Sequence, residues 1–511
     1  MLEQRTRSGV DSGPGVRAMI NRRRFFTGAA AAGAAAWLPS PRAAAGEATA
    51  VTADVPALAL SGTALRLERA AVQELRASLA GQLLVGGDAG YEAARRVWNA
   101  MIDRHPALIA RCASAVDVSK VVTFARERGL LVAVRGGGHS FPGYSSCEGG
   151  LLIDLSQLNQ VSVDAQRRVV HAGGGALGLQ VDGAAQQHAL ATTLGQISNT
   201  GIGGLTLGGG LGWLSRRFGL ACDNLLSAEI VTADGHIRLV GPHDDPDLYW
   251  AIRGGGGNFG VATQFEYRLH EVPQQVISGR AAFQKPHARD AVAFYADFLA
   301  RAPRELSVDL DLSLGGDGKT TASIFVVYSG DPRNADKVLA PLRAVANAVE
   351  TKIGPQSYLV VQSQFDTPAI DTQRHYIKGG FVNEYPAPLI DYLSNEFEAT
   401  PGCEIYFESS NGAVWDTAAD ATAFSHRHAM ASLMVMGAWD GRDQDEAGKA
   451  RVRSVWERLA PFCDGYYVNL ADPDPKTVDA NYGANHRRLA ALKRKYDPQN
   501  LFRLNANIKP A

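Results

Sequence analysis

The distribution of glycine constrains the fold of this chain more than any other feature of its sequence. The 511 residues include 54 glycines, which concentrate in a few runs between about residues 135 and 260. Glycine loses more conformational freedom on folding than any other residue, so such runs are costly unless the backbone turns sharply or approaches a ligand closely. The runs therefore predict loops that surround a bound cofactor.

Length and composition predict a globular protein of two or three domains. Hydrophobic residues make up 46% of the chain and charged residues 20%, which is ordinary for a protein with a large core. The formal net charge is −1, so no excess of basic residues favours nucleic acid or an anionic membrane as a partner. The five cysteines are scattered, form no C-x-x-C motif and predict no disulfide scaffold, although one bridge between two of them is left open. They are Cys112, Cys147, Cys222, Cys403 and Cys463.

The N-terminus predicts a targeting segment. Residues 21–26 read Asn-Arg-Arg-Arg-Phe-Phe, which resembles the twin-arginine export signal, and an Ala/Gly-rich stretch follows over 28–38. That stretch is too short and too weakly apolar to span a bilayer as a helix. Three alanines at 43–45 offer a cleavage site. We therefore predict a signal peptide over 1–45 and export by the twin-arginine machinery to the periplasm or the extracellular space, without a stable membrane anchor.

The first half of the mature chain alternates short strands and helices. Ser114 is placed to cap a helix whose apolar residues share one side, and Gly129 ends it. A buried strand over 130–134 then runs directly into a glycine run. Further predicted elements are a helix over 177–188 and strands over 151–155, 168–172, 225–232 and 261–269. The pattern is typical of a mixed α+β domain with glycine loops at strand ends.

The character of the sequence changes near residue 275. Glycine runs vanish, and predicted amphipathic helices over 288–299 and 335–348 alternate with strands over 307–314 and 321–328. These features predict a second α+β domain with an antiparallel sheet. The final stretch from Gly465 is polar and does not resemble that domain.

The first glycine run carries a histidine. Arg135-Gly136-Gly137-Gly138-His139-Ser140 follows a predicted strand, and the backbone N–H groups of such a loop can converge on phosphate oxygens. A Rossmann site is excluded, because no G-x-G-x-x-G lies in a βαβ unit with an acidic residue about 20 positions further on. A glycine loop by itself is weak support for a nucleotide site. Whether this loop binds a cofactor is therefore inferred from the neighbouring segments of the sequence.

Those segments resemble the berberine bridge enzyme-like FAD-linked oxidases of the vanillyl-alcohol oxidase superfamily. The resemblance runs through RGGGHSFPGYSSCEGGLLIDL at 135–155, GQISNTGIGGLTLGGGLG at 195–212 and DLYWAIRGGGGNFGV at 247–261. It closes with NYGANHRRL and KYDPQNLFR in the C-terminal tail. The chain is thereby identified as an exported bacterial member with a two-part, PCMH-type FAD-binding domain and a substrate domain. We predict a signal peptide over 1–45, a lead-in over 46–90, FAD-binding parts over 91–275 and 465–511, and the substrate domain over 276–464.

The resemblance also implies the cofactor residues. His139 matches the histidine that bonds to the 8α-methyl group of FAD, and Asn485 matches a tail residue that returns to the isoalloxazine. The phosphate-binding and flavin-facing loops match Arg135, Gly136, Gly137, Gly138, Ser140, Gly201, Gly203, Gly204 and Gly208. A covalent tether prevents loss of the cofactor and raises its potential.

Two positions depart from, or refine, the family pattern. Plant members carry a second tether through a cysteine, where this chain aligns Ile197, so we predict a single covalent link. Thr200 stands where a small residue is associated with access of oxygen to the flavin.

His426 and His428 have no third ligand nearby, and we predict no metal site.

Oxidation of an alcohol also requires a base that takes the O–H proton as hydride leaves the carbon. Tyr467 is the first candidate and Tyr466 the second, because strand alternation would turn only one of them inward. Tyr144 is a candidate partner that lowers the pKa of the tyrosine. On the strand over 432–439, Met434 stands where some members have Glu or Gln, which indicates a less polar pocket.

The resulting prediction is a FAD-dependent enzyme that takes hydride from a carbon bearing a hydroxyl or an amine. Dioxygen would then reoxidise the flavin to give H2O2. A dehydrogenase with another electron acceptor and a non-catalytic flavin-binding protein are the alternatives. The fold does not choose among sugars, other alcohols and amines as substrates.

Overall fold

The computed structural model describes residues 51–284, 287–315, 317–368, 372–470 and 478–511. The predicted signal peptide lies outside these residues. Within them the chain is a mixture of helices and largely antiparallel sheets, so the predicted α+β class is confirmed. No helix in these ranges is long and apolar enough to cross a membrane.

The described residues form twenty strands. They are β1 Val55–Leu58, β2 Ala64–Leu67, β3 Gln82–Leu84, β4 Leu108–Arg111, β5 Val132–Arg135, β6 Leu151–Asp154, β7 Val161–Asp164, β8 Val169–Gly173, β9 Leu190–Ala191, β10 Leu225–Val231, β11 Ile237–Val240, β12 Val261–Arg268, β13 His270–Glu271, β14 Gln275–Gln284, β15 Leu306–Leu314, β16 Thr320–Tyr328, β17 Glu350–Ser357, β18 Arg374–Val382, β19 Cys403–Ser409 and β20 Ala431–Trp439.

The α-helices of the same residues vary from one turn to four. They are α1 Arg69–Ser78, α2 Tyr91–Arg95, α3 Ala115–Glu127, α4 Gly178–Gln186, α5 Ile202–Leu207, α6 Ser215–Phe218, α7 Pro246–Ala251, α8 Ala288–Arg301, α9 Ala335–Arg343, α10 Tyr358–Gln362, α11 Ala387–Asp391, α12 Asp445–Leu459, α13 Val478–Tyr482 and α14 His486–Tyr496.

Helix α3 shows how local sequence sets these bounds. The side chain of Ser114 accepts a hydrogen bond from the backbone N–H of Asp117 at 3.2 Å, which caps the first turn as predicted. Val118, Val121, Val122 and Ala125 are fully buried on one side of the helix. Gly129 has a φ of +59°, a left-handed conformation that ends a helix and that glycine adopts without strain.

Two local predictions are wrong. Helix α9 ends at Arg343 and not at 348, and Asn347 adopts a left-handed φ of +67°, which does not continue a right-handed helix. The strand alternation expected at Tyr466 and Tyr467 is not found, because residues 465–467 form irregular backbone and residues 468–470 form a turn. Gly465 there has a φ of +76°, which does not fit an extended strand.

Besides the two-stranded pairs β1-β2 and β9-β13, two sheets of four and five strands are formed by the first half of the described chain. In the four-stranded sheet, ordered β3-β4-β6-β5, both β4 and β5 run parallel to β6. The second sheet is antiparallel, in the order β11-β10-β12-β8-β7. Strand β5 leads directly into the histidine loop at residues 136–140, so the position of that loop follows from the four-stranded sheet.

The largest sheet of the described chain has seven antiparallel strands, in the order β17-β14-β16-β15-β19-β20-β18, and is called the large sheet below. Successive side chains of a strand point to opposite faces. Leu310, Phe407 and Leu433 belong to a hydrophobic core that also contains residues of α8 and α12. Asp309 and Glu408, one position away from the first two, therefore point to the opposite face, which looks toward the glycine loops.

A buried ion pair fixes the C-terminal tail. Lys493 and Asp497 are fully buried, with Nζ 2.7 Å from Oδ2. Lys493 also donates to the carbonyl oxygens of Asn258 and Phe502 at 2.6 and 2.8 Å. These bonds tie the last helix, α14, to the third glycine run at 254–257, so the tail returns to the first half of the chain. The domain limits given above, at residues 90, 275 and 464, remain predictions from the sequence.

Candidate active site

A deep cavity of about 330 Å³ lies where the three glycine segments meet the large sheet. The glycine segments contribute residues near 136–140, 201–204 and 256–257, and the tail contributes residues 502–506. The sheet side is mostly apolar and includes Phe365, Tyr406, Met434 and Met436. The cavity therefore has one wall made of backbone and an opposite wall made of large side chains.

The first two glycine segments touch each other through their backbones. A Cβ on Gly137 would overlap the backbone of Gly201, and a Cβ on Gly201 would overlap that of Gly137. A Cβ on Gly136 would lie 3.2 Å from the carbonyl oxygen of Gly174. Glycine is thus required at Gly137 and Gly201 by the close approach of two backbone segments, a reason that the sequence alone did not reveal.

The structure brings most of the predicted cofactor residues to this cavity. Its lining includes Gly136, Gly137, Gly138, His139, Ser140, Gly201, Gly203 and Gly204. Three predicted residues are not among the described residues that line it. The Arg135 guanidinium instead forms an ion pair with Asp154, with Nη2 2.6 Å from Oδ2, and Gly208 packs against the side chain of Asn469.

Asn485 is the third of these residues. Its amide donates to the carbonyl oxygens of Ala419 and Thr422 at 2.7 and 3.1 Å, so it holds the segment at 419–423. Its contact with the isoalloxazine stays a prediction. Asn505 of the same tail does line the cavity, and sequence reasoning did not single it out.

The imidazole of His139 lies in an aromatic stack. Its ring centroid is 4.3 Å from that of Trp98, with 18° between the planes. The other face of Trp98 stacks on His375 at 4.1 Å and 19°. Phe141 meets the edge of this group, 5.0 Å from Trp98. His139 is therefore oriented by rings from the N-terminal half and from β18.

The residues present fit the predicted FAD. A Cβ on Gly204 would meet no atom within 4 Å, so the cavity has room beside this backbone. The side-chain oxygen of Asn505 is buried and accepts no hydrogen bond from the described residues. An acceptor of this kind at a cavity wall suits the N–H or O–H groups of a bound molecule. The backbone wall, the acceptor and His139 together suit a dinucleotide with a planar ring system.

Of the three predicted tyrosines, Tyr467 and Tyr144 line the cavity. Tyr467 is buried, and its phenol oxygen accepts N–H bonds from Gly210 and Leu211 at 3.0 and 3.2 Å. Asn469 Nδ2 donates to the same oxygen at 3.0 Å. Burial and the nearby Glu408 raise the pKa of Tyr467 above its ordinary value, although the three donors favour the phenolate. Tyr466 packs against Trp456 and is not among the described lining residues.

Glu408 is a site residue that sequence reasoning missed. Its carboxyl group lines the cavity from β19 and forms no hydrogen bond or ion pair with the part of the chain that the structure describes. Burial, and secondarily the charge of Asp309, raise the pKa of Glu408 well above its ordinary value. The available signal was a pair of acidic residues, Glu404 and Glu408, within the otherwise largely apolar segment CEIYFES.

A hydrogen-bonded network connects Asp309 to the same wall. The Tyr406 hydroxyl lies 2.9 Å from both Asp309 Oδ2 and Gln196 Oε1, and Gln196 Nε2 donates to Asp309 at 2.5 Å. The backbone N–H of Ser409 completes the shell at 2.9 Å. Burial raises the pKa of Asp309, and the donors oppose that effect. Glu408 is therefore the acidic residue at the described cavity wall, and Asp309 lies behind Gln196 and Tyr406 with its oxygens hydrogen-bonded.

Ile197 and Thr200 also line the cavity, beside Gly201. All five cysteines are free thiols, so the one bridge left open by the sequence is not formed in this structure. Within the described ranges, no three His, Cys, Asp or Glu side chains come close enough together to hold a metal ion.

Family models match two parts of the chain. A FAD binding domain matches residues 106–241, and a berberine and berberine-like segment matches residues 466–509. The first contains the histidine loop and the second contains Tyr467 and the returning tail. Along the chain, the first match precedes the strands of the large sheet and the second follows them.

Curated and solved proteins agree with these matches. (R)-6-hydroxynicotine oxidase of Paenarthrobacter nicotinovorans is 29% identical over 85% of this chain and 97% of its own length. A crystal structure of 6-hydroxy-D-nicotine oxidase from Arthrobacter nicotinovorans superposes with a TM-score of 0.77 at 28% identity, over 85% of this chain and 99% of that one. Xylooligosaccharide oxidase of Myceliophthora thermophila, at 22% identity and a TM-score of 0.78, shows the same fold.

A FAD-linked oxidoreductase of Dictyostelium discoideum is 32% identical over 423 residues, which cover 81% of this chain and 91% of that protein. Its similarity spans the FAD-binding part and the large sheet together. The chain belongs to the FAD-linked oxidoreductases that combine a PCMH-type FAD-binding domain with a berberine-like C-terminal segment.

Proposed function

We propose that this protein is an oxidase that transfers hydride from a substrate carbon bearing a hydroxyl or an amine to FAD held covalently by His139. The observation that carries the proposal is the pairing of His139 on the backbone wall with Glu408 on the opposite wall of one cavity. FAD supplies the two-electron acceptor when bound. The protein binds and orients it, holds the substrate and takes the proton.

The tether to His139 forms with a balanced exchange of atoms. An imidazole nitrogen of His139 would lose its N–H proton and bond to the 8α carbon, which would give up one hydrogen. Dioxygen would accept the two electrons and two protons as H2O2. With Ile197 at the position of a second tether, one link is proposed.

Glu408, and not Tyr467, is the proposed base. The phenol oxygen of neutral Tyr467 has two lone pairs, and three N–H donors already share them, so it has little capacity left to accept a substrate proton. The carboxylate of Glu408 is open to the cavity and can accept the proton of a substrate O–H or N–H as hydride leaves the neighbouring carbon. Tyr467 would instead hold the segment at 208–212 against the cavity.

The substrate is a small molecule, and the wall around Glu408 favours an apolar one. Phe365, Met434, Met436 and Leu470 offer few hydrogen bonds to a sugar ring. Relatives include both a hydroxynicotine oxidase and a glucooligosaccharide oxidase, so a panel of amines, alcohols and oligosaccharides covers the candidates.

Export by the twin-arginine route is a second part of the proposal and rests on residues outside the described structure. Residues 21–26 carry the arginines of the signal. Fusion of residues 1–50 to a reporter should direct it out of the cytoplasm, and replacement of the three arginines by lysine should retain it there. Equal export of both fusions would contradict a twin-arginine signal.

The reaction is tested by mixing the purified protein with each compound without oxygen and recording the flavin absorbance. Bleaching by a compound supports hydride transfer, and H2O2 on admission of air supports the oxidase. Bleaching without peroxide, but with transfer of electrons to a dye, would favour the dehydrogenase. A flavin that no compound of the panel reduces would favour the non-catalytic alternative.

A further inference from the structure

We propose that Trp98 and His375 form an aromatic template that orients the His139 imidazole for attachment of the flavin. Because His375 belongs to the seven-stranded sheet, attachment would then require that sheet to be docked against the histidine loop. This inference rests on the covalent tether proposed above and identifies two positioning residues for its formation.

The template is a continuous stack of three flat rings. Trp98 lies in the centre, with centroid distances of 4.3 Å to His139 and 4.1 Å to His375. The interplanar angles are 18° and 19°, so both imidazoles lie nearly parallel to the indole. Trp98 is only 4% exposed, and the stack is therefore part of the packed interior.

Hydrogen bonds fix the indole independently of its neighbours' rings. The backbone N–H of Trp98 donates to the carbonyl oxygen of Gly138 at 3.1 Å, next to His139 in the chain. Indole Nε1 donates to Thr367 Oγ1 at 2.7 Å. These bonds define both the position of the Trp98 backbone and the rotation of its ring.

Asn99, the next residue, joins the histidine loop to β18. Its Nδ2 donates to the carbonyl oxygens of Phe141 and His375, each at 2.9 Å. Its Oδ1 accepts the backbone N–H of His375 at 3.0 Å. One buried side chain thus sets the distance between the two segments that carry the outer rings of the stack.

Face-to-face stacking suits the chemistry proposed for His139. It restrains rotation of the imidazole through contacts with the π face, whereas the nitrogen lone pairs that form a bond lie in the ring plane. Aromatic pairs of this kind contribute enough to change the population of one orientation about two- to tenfold. Loss of the stack should therefore slow attachment without preventing FAD from binding.

The experiment compares aromatic with aliphatic substitutions at the same positions. Trp98→Leu and His375→Leu remove a ring, whereas Trp98→Phe and His375→Phe keep one. Thr367→Val removes the partner of the indole N–H and leaves the stack. Each full-length variant is purified and incubated with excess FAD under air, and acid-precipitable flavin is measured over time beside total bound flavin.

We expect both leucine variants to attach flavin about two- to tenfold more slowly than wild type, with total FAD binding retained. The phenylalanine variants should attach it at rates close to wild type, and Thr367→Val, which keeps the stack but loses one restraint on the rotation of the indole, should attach it at a rate between those of the phenylalanine and leucine variants. Equal rates in all variants would overturn the template. Equal loss in the leucine and phenylalanine variants would also overturn it, because a flat ring would then make no difference. Release of the flavin from wild-type protein by acid would instead contradict the tether itself.

A variant that fails to fold is recognised by its thermal transition and by loss of total bound FAD. In that case the rates of the two phenylalanine variants decide the question, since a stack with either ring replaced should still support attachment. Trp415→Leu, at a 44% exposed indole that lies outside the stack, is the matched control and should behave as wild type.

Discussion

The phenol oxygen of Tyr467 lies 3.0 Å from the backbone nitrogen of Gly210 and accepts its hydrogen bond. Leu211 and Asn469 donate to the same oxygen. Tyr467, which belongs to the C-terminal tail, is thus hydrogen-bonded to the backbone of the second glycine segment. This geometry separates two roles for the tyrosine. One is proton transfer, and the other is support of the loop.

Tyr467→Phe tests these roles. The substitution leaves the N–H groups of Gly210 and Leu211 without their acceptor, a loss of about 1–3 kcal/mol in the free energy of unfolding. We expect lower thermal stability but an unchanged pH midpoint of flavin reduction, measured in rapid mixing without oxygen. A fall of 100-fold or more in the reduction rate, with normal FAD content, would assign the base to Tyr467.

Glu408→Gln should lower the rate of flavin reduction by about 10²- to 10⁴-fold, which is the usual contribution of a general base. In wild type, only the deprotonated carboxylate can take the proton. Because burial raises its pKa, the rate should rise with pH through a midpoint well above the ordinary glutamate value. Glu408→Asp should retain part of the rate. A pH profile that is the same in wild type and Glu408→Gln would contradict this assignment.

Gly137→Ala should disturb the contact between the first two glycine segments, because the new methyl group would overlap the backbone of Gly201. We expect a loss of about 1–3 kcal/mol in stability and a reduced content of bound FAD. Gly183→Ala in α4 is the matched control, since a Cβ there meets no atom within 4 Å. It should leave stability unchanged or raise it by up to about 1 kcal/mol. Equal effects of the two substitutions would contradict the close approach.

Asp182 should make the protein less stable at alkaline pH. Its carboxyl group is buried, and burial raises its pKa to about 7, while Gln362 donates to it at 2.9 Å. The folded state therefore binds this proton more tightly than the unfolded state does, and stability falls as pH rises from the unfolded pKa of about 4 to about 7. Asp182→Asn should flatten this dependence and raise Tm most at pH 8. A Tm difference that does not change between pH 4 and pH 8 would refute this.

The sequence predicted the backbone wall of the site better than the side-chain wall. Glycine runs and His139 are contiguous motifs, so their positions could be identified without knowing the fold. Glu408 and Asp309 lie about 100 residues apart on neighbouring strands, and only the sheet brings them to one face. Tyr467 was identified as a cavity residue, yet the backbone around it was predicted as a strand, because alternation alone cannot detect the left-handed turn at Gly465.

The proposed chemistry depends on the covalent tether between His139 and FAD. The mass of the intact, acid-denatured protein, compared between wild type and His139→Ala, measures this tether. We expect the wild-type mass to exceed that of the polypeptide by one FAD less two hydrogens, or by one FAD if these remain on the adduct, and the variant to have the polypeptide mass alone. A wild-type mass equal to that of the bare polypeptide, with yellow FAD in the supernatant, would contradict the claim.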